Sequence, residues 1–266
     1  VKKLLLTMAF MGFNIGMMYT EDVYEVENEP FFGYMRGRYS RSELKELDTY
    51  ADTLGIELVP CIQTLGHLEN ALKWGDLAKY RDTASVMLVG DDGVYAIIDR
   101  MIASAAQTYK SRRIHLGMDE AMDLGLGRYL QKNGYQNGFE IIKTHLDRVE
   151  KIVEKHGLKP MIWSDMYFRL GSPENMYYDE ACKIPQEVID GASKNISLVY
   201  WDYYHKNEAF YHDYIEKHQA FAASTIFAGG MWTWVGAAVN YPLFFKTSVP
   251  ALQSCKDKGI KEVLLT

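Results

Sequence analysis

The chain has 266 residues, 48% of them apolar, enough to bury a sizeable core as one α/β barrel or as two smaller domains. Its formal net charge is −6 and no Lys/Arg cluster stands out, which argues against a nucleic-acid partner. No apolar run reaches the length of a membrane span, and the three cysteines, Cys61, Cys182 and Cys255, have no metal-type spacing and read as reduced thiols.

In chain order, residues 1–11 have a helical apolar rhythm that stops at Gly12. A strand over 13–19 runs into Thr20-Glu21-Asp22, and a loop rich in turn residues and aromatics covers 27–39. Ser40 caps a helix over 42–54, with Glu43 in its first turn and Gly55 just past its end. An apolar strand at 56–62 ends in Gln63-Thr64-Leu65-Gly66-His67. Residues 91–110 form a long amphipathic helix that leads into the strand beginning at Ile114. Helix 138–156 stops at Gly157, and strand 160–163 ends in Ser164-Asp165. A short helix at 184–192 precedes strand 197–201, which ends in Asp202-Tyr203-Tyr204. Helix 210–219, strand 225–231 ending in Trp232-Thr233-Trp234, and helix 244–258 follow, and 263–265 begins one more strand.

Short apolar strands alternating with helices predict a parallel sheet with right-handed crossovers. Seven strands can be counted. The expected fold is therefore α/β, a (β/α)8 TIM-type barrel lacking its first strand, which would precede Val1. No linker or composition break divides the chain, so 1–266 is expected to be a single catalytic barrel domain, a portion of a longer protein. A doubly wound open sheet is the structural alternative, but no strand is followed by a Gly-rich phosphate turn. Polar and aromatic residues close nearly every strand, which is where barrels build active sites.

Among these strand ends, Ile114-His115-Leu116-Gly117-Met118-Asp119-Glu120-Ala121 organises the rest. Two neighbouring carboxylates repel, which helps to hold one protonated beside one ionised, the requirement for an acid working next to a charge stabiliser. Taken alone, the same pair would read as a solvated helix start whose acids suit the helix dipole.

The surrounding strand ends decide between these readings. His115-Leu116-Gly117-Met118-Asp119-Glu120 matches a His-x-Gly-x-Asp-Glu strand end, and Gly66-His67 a Gly-His at an earlier one. Trp163-Ser164-Asp165 matches a Trp-x-Asp, Tyr200-Trp201-Asp202 a Tyr-x-Asp, and Trp232-Thr233 a later Trp-Thr. In these positions, spread over most of its length, the chain resembles glycoside hydrolase family 20, the β-N-acetylhexosaminidases, and in texture its bacterial cytoplasmic-type members. Two positions depart from the family's pattern. The Arg of its first barrel strand has no counterpart, and Trp234 stands where the family often has a Glu.

The resemblance implies an exo-acting β-N-acetylhexosaminidase that removes terminal non-reducing N-acetylglucosamine or N-acetylgalactosamine with retention. Most retaining glycosidases flank the bond with carboxylates about 5–5.5 Å apart. Adjacent residues on an extended strand point in opposite directions, so Asp119 and Glu120 are not expected to form such a pair. The substrate-assisted exception fits instead: the sugar's 2-acetamido oxygen attacks, through an oxazolinium-like intermediate. By the resemblance, Glu120 is the acid and then the base, while Asp119 holds the acetamido N–H and offsets positive charge. Tyr200 aims the acetamido oxygen, and Trp163, Trp232 and Trp234 wall the sugar. Asp202 takes a sugar hydroxyl, and His67 with Glu21 or Asp22 tunes Glu120. The bland readings are a half-buried barrel Tyr for Tyr200, a core Trp for Trp234 and a structural His for His67. The implied partners are N-acetylhexosamine-terminated glycans, with no cofactor, metal, nucleic acid or membrane, and a homo-oligomer is left open. The alternative is a catalytically silent carbohydrate-binding barrel fragment.

Overall fold

The computed structural model describes residues 1–221 and 223–266. The chain divides into two compact units, 1–161 and 162–266.

The first unit opens with α1 (Lys2–Phe10) and β1 (Ile15–Glu21). Helix α2 (Arg41–Thr53) starts on a capping box, in which Ser40 Oγ accepts from Glu43 N at 3.2 Å and Ser40 N donates to Glu43 Oε2 at 2.8 Å. Strand β2 (Glu57–Ile62) is followed by two single-turn helices, α3 (Glu69–Leu72) and α4 (Gly75–Ala78). Helix α5 (Asp92–Thr108), strand β3 (Arg113–His115), helices α6 (Arg128–Asn133) and α7 (Gly138–Lys155) and the first three residues of strand β4 (Lys159–Trp163) complete it, Ile162 and Trp163 being counted with the second unit. β1 pairs with β2, β2 with β3 and β3 with β4, all parallel and in chain order. The helix stripes bury Leu44 and Ala51 of α2, Ile98, Met101 and Ile102 of α5, and Val149 and Val153 of α7. Ala51 apart, each of these side chains contributes about 1.5–3 kcal/mol.

The second unit contains α8 (Asp165–Gly171), α9 (Gln186–Gly191), β5 (Ser197–Trp201), α10 (Glu208–Gln219), β6 (Thr225–Gly229), α11 (Tyr241–Asp257) and β7 (Val263–Leu265). β5 pairs with β6 and β6 with β7, again parallel and in chain order. Just past β4, Ser164 N donates to Val199 O, so the backbone there runs beside β5. Asn207 caps α10, whose inner face buries Tyr211, Tyr214 and Ile215.

The strand count and the parallel pairing agree with the sequence analysis. The crossed strand order of a doubly wound sheet appears in neither unit. Helices α3, α4, α6 and α8 were not anticipated, because one or two turns are too short for a helical period to show. Strand β3 is three residues long and ends at His115, which changes how the Asp119–Glu120 stretch is built. Among the described residues, no helix is long and apolar enough to cross a membrane.

Candidate active site

In the first unit, two chain segments meet beyond the ends of β2 and β3. Thr64 N and Thr64 Oγ1 both donate to Leu116 O, at 3.0 and 2.9 Å, and Leu116 N donates to Met161 O at 2.8 Å. Buried His145 lies 3.0 Å through Nε2 from Thr64 O, pinning the 63–67 segment from its other side. Close approach here depends on two glycines. A Cβ on Gly66 would lie 2.7 Å from Asp119 O. One on Gly117, at φ +73°, would lie 2.0 Å from Gln63 Oε1.

Asp119 and Glu120, expected to diverge from an extended strand, do not. The pair sits in a turn, with Met118 at φ 75° and Glu120 at φ 50°. The left-handed turns bring both carboxylates to the same side. His67 Nε2 lies 3.2 Å from Asp119 Oδ2 and 3.4 Å from Glu120 Oε2. His67 itself is at φ 54° and Glu21, at the end of β1, at φ 51°. Such backbone costs about 1–3 kcal/mol per residue and tends to gather where geometry serves function.

The electrostatics follow from the contacts. Hydrogen bonds to Asp119 and then Glu120 raise the His67 imidazole to about 10, against the opposing effect of burial. It is a cation throughout the neutral range, within reach of both side-chain carboxyl groups. Asp119 Oδ1 accepts from Gln63 Nε2 at 2.7 Å. His115, fully buried, has its pKa lowered by desolvation to about 3, and its Nδ1 accepts from Gly117 N at 3.0 Å. That ring is neutral and shapes the turn.

Asp22, expected to partner His67, is placed beside Arg36. Its carboxylate is 1% exposed, with Oδ1 3.4 Å from Arg36 Nε, and burial raises its pKa while Arg36 opposes the rise. Glu21 Oε1 lies 3.6 Å from Arg36 Nη1 and also feels the His67 charge. Sequence reasoning passed over Arg36 and Gln63. The signal for Gln63 was available, since it follows a strand and precedes His67 by four residues. Arg36 lies in an aromatic loop with no periodicity to mark it.

In the second unit, Tyr200 is 1% exposed, and its hydroxyl donates to Asp202 Oδ2 at 2.7 Å. Its ring stacks on His218 at 4.5 Å and on Tyr214 at 5.8 Å, both on α10. The buried Asp202 carboxylate also accepts from Tyr204 N at 2.9 Å and lies 2.8 Å from His205 Nδ1. Tyr200 and Asp202 thus come together, but as partners of each other. An acetamido or hydroxyl contact from either requires exchange of a bond already made. Trp232, at φ 57°, stacks on Trp234 at 5.4 Å and meets Tyr204 edge-on at 5.5 Å. Tyr203 packs on Trp201 at 5.4 Å and against Trp234 at 5.0 Å. Trp234 is 45% exposed, and Trp163 is buried at the end of β4. The unit thus presents an aromatic group of the kind that suits a sugar's apolar face. Among the described residues, no three His, Cys, Asp or Glu side chains are grouped to hold a metal ion.

The chain as a whole is similar to known proteins. The sequence profile of glycosyl hydrolase family 20, catalytic domain, matches residues 14–222. Human hexosaminidase D is 27% identical over 203 residues, spanning 73% of this chain and 39% of the human protein. A beta-hexosaminidase of Vibrio furnissii is 26% identical over 148 residues, spanning 48% of this chain and 24% of its own length. Among solved structures, the GH20 exo beta-N-acetylglucosaminidase of Vibrio harveyi in complex with N-acetylglucosamine superposes with a TM-score of 0.63. It is 16% identical and covers 86% of this chain and 38% of that one. The Streptomyces plicatus N-acetyl-beta-hexosaminidase in complex with Thio-NAglucal gives 0.60 at 19% identity, covering 86% of this chain and 44% of that one. The chain therefore spans less than half of the human relative and of both structural neighbours. The profile match over 14–222 carries the assignment: the chain belongs to glycosyl hydrolase family 20, through its catalytic domain, and so to the glycoside hydrolases.

Proposed function

We propose that the protein is an exo-acting β-N-acetylhexosaminidase working by substrate-assisted retaining catalysis on terminal non-reducing N-acetylglucosamine or N-acetylgalactosamine. The observation that carries this reading is the single imidazolium of His67, set between Asp119 and Glu120. A retaining pair that attacks directly needs the sugar between its two carboxylates. Here a histidine ring occupies that position, which favours a nucleophile supplied by the substrate.

In this mechanism Glu120 gives its proton to the leaving oxygen while the acetamido oxygen closes on the anomeric carbon. The glycosidic bond breaks as the ring of the oxazolinium forms. Asp119, ionised, accepts from the acetamido N–H and offsets the developing positive charge. His67 stabilises Glu120 once it has become a carboxylate. Glu120 then takes a proton from water, whose oxygen opens the oxazolinium and restores the acetamido group. Trp163, Trp232 and Trp234 as sugar walls, Asp202 as a hydroxyl acceptor and Tyr200 at the acetamido oxygen keep the roles the family resemblance gives them, and Asp22 and His67 stay among the substrate-binding residues. The fold that goes with this activity is the (β/α)8 barrel, with residues 1–266 read as one catalytic domain.

The test is turnover of a nitrophenyl N-acetyl-β-glucosaminide beside the same glycoside with a 2-hydroxyl. The acetamido compound should turn over and the hydroxyl compound should be inert. Equal rates would remove the substrate's acetamido group from the mechanism. No turnover of either would favour a silent carbohydrate-binding fragment.

A further inference from the structure

Gln63 is fully buried at the C-terminal end of β2, and its amide is used at both ends. Nε2 donates to Asp119 Oδ1 at 2.7 Å, and Oε1 accepts from Met118 N at 3.1 Å. Nε2 also lies 3.4 Å from Tyr19 OH. The orientation of the amide is fixed by its partners. Turning it over would set N–H against the Met118 N–H and oxygen against a carboxylate.

We propose that Gln63 is the positioning residue for Asp119, holding at once the turn that carries this carboxylate and the direction in which the carboxylate points. The proposal rests on the substrate-assisted reading above, in which Asp119 receives the acetamido N–H. Two further observations and the chemistry of the carboxylate support it. Gly117 has no room for a Cβ because Gln63 Oε1 occupies that space, so the left-handed turn and the amide are built for each other. The second Asp119 oxygen is held by His67, so both anchors come from the one 63–67 segment, itself tied to Leu116 and His145. Each carboxylate oxygen has two lone pairs, so one donor on each leaves acceptor capacity for a substrate N–H.

The chemistry of an amide matters here as much as its reach. A carboxylate at position 63 would meet Asp119 as a like charge at hydrogen-bond distance. An apolar side chain would leave Met118 N–H and Asp119 Oδ1 without this partner. The neutral amide supplies a donor and an acceptor at every pH. The ionisable groups around the pair are His67 and Glu120, Tyr19 and Glu21 of β1, Cys61 of β2 and His115 of β3.

The experiment compares wild type, Gln63→Glu and Gln63→Met by kcat and KM across pH on a nitrophenyl N-acetyl-β-glucosaminide. The same series is run for binding of a thiazoline mimic of the cyclised intermediate, which reports on Asp119 without turnover. In Gln63→Glu the new carboxyl, while protonated, donates to Asp119 as the amide does. Once ionised, it repels it. At acid pH this variant should keep kcat within about tenfold of wild type, and its alkaline limb should fall at least about one pH unit earlier. Mimic affinity should weaken over the same interval. Gln63→Met should lower kcat by about 10²-fold or more at all pH, with KM little changed, as expected for loss of transition-state alignment. Urea unfolding of each variant at each pH separates a moved limb from partial unfolding, since stability itself changes with pH. Gln63→Glu with wild-type limbs in both rate and binding would overturn the proposal, as would Gln63→Met with kcat within threefold of wild type. Those outcomes differ from failure of the underlying mechanism, which shows in the wild type as turnover of the 2-hydroxyl glycoside.

Discussion

Replacing His67 by Gln removes a charge while keeping a donor near Asp119 and Glu120, so it isolates what the imidazolium contributes. The folded protein holds this ring up to about 10, against an ordinary value of 6.5. At about 1.4 kcal/mol per pH unit, the whole interval corresponds to roughly 5 kcal/mol of preference for the charged ring in the native state. The side chain is 31% exposed, so solvent screening removes about half of that, leaving about 2 kcal/mol. The sign is fixed by linkage. Because the native value is raised, the stabilisation is fully present below pH 6.5 and is lost as pH rises through about 10. Urea unfolding followed from pH 6.5 to 10.5 should show the wild type losing about 2 kcal/mol more than His67→Gln over that span. Parallel curves would refute a charged His67 bridging the two carboxylates.

Gly117→Ala forces a side chain into a left-handed turn and against Gln63, so it should destabilise the fold by about 1–3 kcal/mol and lower kcat. An unchanged unfolding midpoint would mean the turn is not as described. Glu120→Gln should cost about 10²–10⁴-fold in kcat for poor leaving groups and far less for activated nitrophenyl ones, and equal losses would take the acid role from Glu120. Tyr200→Phe deprives buried Asp202 of a donor and should cost about 1–3 kcal/mol of stability in urea unfolding. Unchanged stability with a raised KM would instead assign the hydroxyl to the substrate.

Much of the fold was legible because its signals are local. The Ser40–Glu43 capping box, the Gly55 and Gly157 helix stops and the apolar stripes of α5 and α7 all act over a few residues. The predicted strands at 197–201 and 263–265 coincide with β5 and β7. The Asp119–Glu120 pair was legible as a site but not as a shape. Opposite side-chain directions follow from an extended strand, whereas β3 stops at His115 and left-handed turns at Gly117, Met118 and Glu120 reverse the expectation. From the sequence, the partner of His67 is expected to be Glu21 or Asp22. The carboxylates within hydrogen-bond reach of its Nε2 are Asp119 and Glu120, contacts made across more than fifty residues of chain. Gln63 and Arg36 escaped because their importance lies in what they touch, and neither has a distinctive spacing. Tyr200 shows the same limit: its motif suggests a sugar contact, while its hydroxyl is engaged two residues along the chain with Asp202.

The central claim is that the substrate's acetamido oxygen is the nucleophile, and replacing the acetyl hydrogens with fluorine tests it on the wild-type protein without any mutation. Fluorine draws electron density from that oxygen while barely changing the size of the group. Along the acetyl, fluoroacetyl, difluoroacetyl and trifluoroacetyl glycosides, kcat/KM should fall monotonically. The total fall should exceed about a hundredfold, equivalent to roughly 3 kcal/mol of lost transition-state stabilisation. A flat series would place the nucleophile on the protein and contradict the account.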